Sequence, residues 1–131
     1  MSSLPDCEVY GTHSVYRCYD AEGQLLYVGC ARDVPGRMYH HLQLCNIGKQ
    51  PNGTLRRHMA TWTTEEYGTK LDARAAERKA ILEGAPLLNR QHNPRRFRKV
   101  GGGRYALVEP VHPLTRWAFP ELPVLREDVS A

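Results

Sequence analysis

A chain of 131 residues, 41% apolar and 24% charged, can bury the core of one ordinary domain and is too short for several. No apolar run approaches the ~20 residues a membrane-spanning helix needs, which excludes a bilayer-inserted helix. Net charge is +4 with a pI near 9.0, and no acid occurs between Asp33 and Glu65 or within residues 90 to 104, so the basic stretches point to a polyanionic partner or, more blandly, to a solvated charged face.

Residues 1 to 12 show no periodicity and read as a loose N-terminal segment. His13 to Tyr19 and Leu25 to Cys30 are rich in β-branched and aromatic residues and flank Asp20-Ala21-Glu22-Gly23, a turn composition, so the pair reads as a β-hairpin. The period of two groups Tyr16 with Ser14 and Cys18, and Tyr27 with Leu25 and Gly29, so the two tyrosines can meet across one sheet. Asp33 suits a helix N-cap and Pro35 a first turn; the helix should run to about Leu44, with Val34, Met38, Leu42 and Cys45 as its apolar stripe. Arg37 and His41, four apart, share one face of it, and His40 is turned about 100° away.

Residues 46 to 53 read as a loop, Leu55 to Met59 as a short helical turn and Trp62 to Tyr67 as a third strand. Thr69 with Asp72 opens a helix expected to reach Glu83, with Gly84 as its stop and Pro86 beyond. Glu77 sits within that helix's apolar stripe, and a carboxylate there needs a cation, a metal or donors, Arg74 being one salt-bridge partner. After Asn89 a basic stretch, Gly101-Gly102-Gly103, a strand-like Tyr105 to Val108 and four prolines read as an arm; Trp117, Phe119, Leu122 and Leu125 suggest that it packs on the domain or a partner. Four cysteines without a Cys-x-x-Cys pair, and no signal peptide, suit a reduced, cytoplasmic protein, and Cys30, His40, His41 and Cys45 lack the paired spacing of a structural zinc site.

The ordered series Ser14-Val15-Tyr16, Tyr27-Val28-Gly29, Arg37, His41, Glu77 and Asn89 resembles the GIY-YIG nucleases over roughly residues 13 to 90. Ser14 stands at a usual glycine, and Cys30 where several relatives carry lysine or serine. The resemblance implies an α/β chain of the α+β type, a three-stranded, mainly antiparallel sheet flanked by helices at residues 13 to 90, followed by the basic, proline-containing arm of residues 91 to 131. It implies a DNA endonuclease with Tyr16, Tyr27, Arg37, His41, Glu77 and Asn89 as catalytic residues, and Glu77 as ligand for Mg2+ or Mn2+. A lone carboxylate is chemically sufficient for a magnesium ion that keeps several waters.

In this reading Arg37 donates to a phosphate oxygen, His41 accepts a proton directly or from Tyr16, and Tyr27 and Asn89 position water, phosphate or the loop after the helix. Arg32, Arg90, Arg95, Arg96, Arg98, Lys99 and Arg104 are expected against the DNA backbone. Cutting both strands with one centre calls for a homodimer or a protein partner. Taken singly, Arg37 is also a surface ion pair, Tyr27 a core aromatic and Asn89 a turn residue; it is the ordered set that selects a nuclease. A binding or assembly module with a degenerate centre, and an RNase using a 2′-hydroxyl, are the competing readings.

Overall fold

The computed structural model describes residues 12–43 and 51–125. Its elements are β1 (His13–Tyr19), β2 (Leu25–Ala31), α1 (Val34–His41), α2 (Asn52–His58), β3 (Thr61–Tyr67), α3 (Lys70–Gly84), β4 (Phe97–Gly101), β5 (Arg104–Val108), α4 (Pro113–Ala118) and β6 (Val124–Leu125). The first sheet is antiparallel with the order β2-β1-β3. β1 is its centre, so alternate side chains enter opposite layers. Val15 and Val28 pack with Ala73, Ala80 and Ile81 of α3, whereas Tyr16, Cys18 and Leu26 face Val34 and Met38 of α1 and Leu55 of α2. β3 is one of the two edge strands, and its exposed Thr and Glu side chains suit an edge that must not recruit another chain.

Asp33 caps α1 by accepting from the Gly36 amide at 3.1 Å, with Pro35 in the first turn. The helix closes at His41, short of the expected Leu44: Leu42 is its C-cap, and Arg56 Nε donates to the Leu42 carbonyl at 3.0 Å. Cys7 and Cys45 lie outside the described residues, as does most of the expected 46 to 53 loop. Gly53, assigned to that loop, belongs to α2. α3 begins as expected, Thr69 accepting from the Asp72 amide at 3.1 Å. Its end differs. Gly84 is the last helical residue and Ala85 takes the left-handed C-cap position, φ 46°. Close approach explains the glycine, because a Cβ at residue 84 would stand 2.7 Å from Leu25 Cδ2.

The expected arm is folded over its described length. Gly101, Gly102 and Gly103, all with positive φ, turn β4 back antiparallel onto β5, and β6 pairs parallel with β5. Phe97, Leu107, Ala118 and Phe119 share one core with Tyr16, Leu26 and Leu87, so these residues pack on the domain. Positive φ, which makes the glycine run a hairpin turn, leaves no trace in hydrophobic pattern. Among the described residues no helix is long and apolar enough to cross a membrane.

Candidate active site

Tyr16 projects from the central strand over Gly29, its partner in the β1–β2 register. A Cβ at residue 29 would fall inside the Tyr16 phenol, so glycine is what lets the ring lie flat across β2. The Tyr16 hydroxyl bonds His41 Nε2 at 2.8 Å in a fully buried contact. The rings of Tyr16, Tyr27 and His41 form a cluster with centroids 5.4 to 6.1 Å apart. Burial first, then the neighbouring Tyr27, pushes the Tyr16 phenol well above its ordinary range, against a weaker pull from the Arg37 guanidinium. His40 instead points outward beside Tyr39. Cys18, buried in the same layer, has its thiol pushed up to about 12 by burial, which makes it a packing residue and not a nucleophile.

The two tyrosines differ in access. Tyr16 is completely enclosed, while Tyr27 is half-buried and lines a cleft of about 660 Å³ together with Arg74, Glu77, Asn89 and His92. Tyr27 therefore meets the cleft, and Tyr16, on the central strand, lies beneath it. Burial and then Glu77 raise the Tyr27 phenol, while Arg37 and a hydrogen bond with Tyr16 oppose the rise.

Glu77, in the middle of α3, opens into that cleft. Desolvation pushes its carboxyl above the ordinary range, and Arg74, His92, Arg78 and Arg37 only partly offset it. The Arg74 salt bridge that the sequence offered is not formed, although Arg17 and Glu65 pair at 3.5 Å. A carboxylate with no direct counter-charge offers the oxygen donors a hard divalent cation takes, while the neighbouring arginines oppose a cation and favour an anion beside it. Among the described residues no group of three or more His, Cys, Asp or Glu side chains gathers, so such an ion would be held by Glu77 and solvent.

The Asn89 side chain is buried and engaged by backbone. Its Oδ1 accepts from the Val28 amide at 2.8 Å and its Nδ2 donates to the Val28 carbonyl at 2.9 Å, which uses the amide as a stand-in for a peptide group. The Leu87 and Leu88 backbone amides donate to the Leu25 and Leu26 carbonyls at 3.2 and 2.9 Å, so residues 87 to 89 form a strap along β2. Asn89 is accordingly a positioning residue. Asn93, absent from the sequence reading, is its support: its buried Nδ2 donates to the Pro86 carbonyl at 2.8 Å and the Asn89 carbonyl at 2.7 Å. The Asn-Pro turn at residues 93 and 94 was the available signal.

The basic residues divide into two groups. Arg95 donates to the Leu82 and Glu83 carbonyls, and Arg96 Nε to the Ala85 carbonyl at 2.6 Å. Both bond the C-terminus of α3, whose last carbonyls lack helical partners. Arg32, Arg90, Arg98, Lys99 and Arg104 are exposed, with Arg90 lying 5.2 Å over the Tyr105 ring. Arg37 is also exposed, one turn before the buried His41. His92, with φ 62° beside Glu77, was missed, since nothing in residues 90 to 93 marks a left-handed position for a histidine.

No curated protein and no solved structure matches the chain. The family model of the GIY-YIG catalytic domain matches residues 12–93. That span covers most of the chain and contains the tyrosine pair, Arg37, His41, Glu77 and the β2 strap, and the chain accordingly belongs to the GIY-YIG family, with a nuclease-type fold.

Proposed function

We propose that this chain is a divalent-metal-dependent endonuclease that hydrolyses DNA phosphodiester bonds in the Glu77 cleft. The observation that carries the reading is a hydroxyl chain ending on an imidazole: Tyr27 lines the same cleft as Glu77, and behind it Tyr16 bonds His41 Nε2 at 2.8 Å. Mg2+ or Mn2+, bound at Glu77, supplies positive charge to the phosphate oxygens and to the departing 3′ oxygen.

The chain's own groups then manage the proton. Water at the cleft gives a proton to Tyr27 as Tyr27 passes its own to Tyr16 and Tyr16 passes one to His41. Each hydroxyl stays neutral at the end of the step, which is what burial demands of two phenols held above their ordinary range. Imidazole is a suitable terminus near neutral pH. Arg37 and Arg74 offset charge on the phosphate. Exposed Arg90, Arg98, Lys99 and Arg104 assist along the DNA backbone, without Arg95 and Arg96.

Supercoiled plasmid provides the test. The purified protein should nick it with Mg2+, and nicking should disappear in chelator and in Glu77→Ala. Cleavage by Glu77→Ala equal to wild type would overturn the assignment. One centre per chain predicts nicked circles before linear product; cutting both strands would involve a second copy or a partner.

A further inference from the structure

Arg74 stands between two cavities. On one side is the Glu77 cleft; on the other is a pocket of about 240 Å³, lined by Arg74 with His13, Cys30, Arg32, Arg37 and Lys70. Arg32 follows β2, Arg37 belongs to α1, and Lys70 and Arg74 occupy the first turns of α3, so three segments distant in sequence bring fixed positive charges to one concavity. Among the described residues no carboxylate lines it. Asp33, the acid nearest Arg32 in sequence, is occupied in capping α1. Like charges gathered around a small cavity repel one another, and an anion shared among them reverses the sign of that interaction.

Size and continuity define the anion. The volume suits a phosphate with part of its sugar and is too small for a base pair. Beyond the Glu77 cleft, Arg90 and Glu121 also line a third cavity of about 580 Å³ containing Arg104 and Tyr105. The three cavities therefore adjoin through shared wall residues, in the order basic pocket, Glu77 cleft, Arg104 cavity.

We infer that the Arg32, Arg37, Lys70 and Arg74 pocket is a second phosphate subsite, which holds the phosphodiester adjacent to the one cleaved at Glu77, with Arg37 and Arg74 serving both. The inference rests on the nuclease reading of the cleft. It assigns Lys70 a contact with substrate and gives the DNA strand a path, from Arg32 and Lys70 across Glu77 toward Arg104. Contacts of this type set register without reading sequence.

The test is binding of a short fluorescent DNA duplex in chelator across a salt series, by wild type, R32Q/K70Q, the charge-keeping R32K/K70R, and R57Q, an exposed arginine on α2 that lines none of these cavities. R32Q/K70Q should bind at least ~10-fold more weakly. Its slope of log affinity against log salt should be shallower by about one. R32K/K70R should recover most of the loss and R57Q should show none. A single methylphosphonate beside the scissile position should weaken wild type but not R32Q/K70Q further. Unchanged affinity and slope in R32Q/K70Q, with wild type still nicking plasmid, would overturn the subsite and leave the nuclease reading intact. The expected loss of affinity and slope in R32Q/K70Q, from a wild type that binds but never nicks, would uphold the subsite and overturn the nuclease reading.

Discussion

Gly29 decides whether Tyr16 and His41 can meet. Any side chain there collides with the phenol, so Gly29→Ala should cost ~1–3 kcal/mol through overpacking and should abolish nicking together with the Tyr16 hydrogen bond. A urea midpoint and a plasmid assay measure the two effects; a nicking rate equal to wild type would separate the glycine from the relay. Tyr16→Phe and Tyr27→Phe each interrupt the hydroxyl chain and should slow nicking ~100-fold or more. Glu77 makes a prediction about stability. Below the ordinary carboxylate range folded and unfolded chains both hold the proton, and the residue is neutral to stability. As pH rises past that range the unfolded chain ionises freely and the folded one, whose carboxyl burial holds high, is penalised. Glu77→Gln should therefore raise Tm at neutral pH in chelator, and the gain should shrink on acidification; equal melts at neutral pH would show that the carboxylate carries no such burden.

At the scale of elements the strap along β2 matters most. Asn89→Ala leaves the Val28 amide and carbonyl without their buried partner, at ~1–3 kcal/mol each, so the midpoint of denaturation should fall markedly even though Asn89 transfers no proton. Arg96→Ala should lower stability by ~0.5–2 kcal/mol through the lost cap on α3 and leave the salt dependence of DNA binding unchanged. A shallower salt slope would return Arg96 to the DNA interface. These two cases show what the sequence reveals. The hairpin, α1 and α3 were legible because a period of two, an Asp33 cap and a Thr69 cap are local signals. Asn89 was found through the resemblance, but its engagement with Val28 depends on a strand far away in sequence. Arg95 and Arg96 look like DNA ligands in a basic run, and only the fold brings them to the end of α3. The Tyr16 and Tyr27 faces were readable, yet which tyrosine meets solvent depends on Tyr16 belonging to the central strand.

For the whole molecule, the second sheet is a structural requirement. A chain ending at residue 96 loses Phe97, Leu107 and Phe119 from the core shared with Tyr16, and one buried Phe alone is worth ~3–5 kcal/mol when truncated. Against a total stability of ~5–15 kcal/mol the loss is decisive. Such a chain should show no cooperative thermal transition, and a normal melt would restore the view of residues 97 to 125 as an appendage. The strap has a further consequence. It ties the segment that follows α3 to β2, so Glu77 on the helix and Tyr27 on the strand hold their separation before any substrate arrives. Amides of Val28 and Leu88 should accordingly exchange with solvent at the same slow rate with and without DNA. In the proposed nuclease a centre held at this separation would need no induced closure, and the energy of gripping DNA on either side would remain available to strain the phosphodiester toward its transition state.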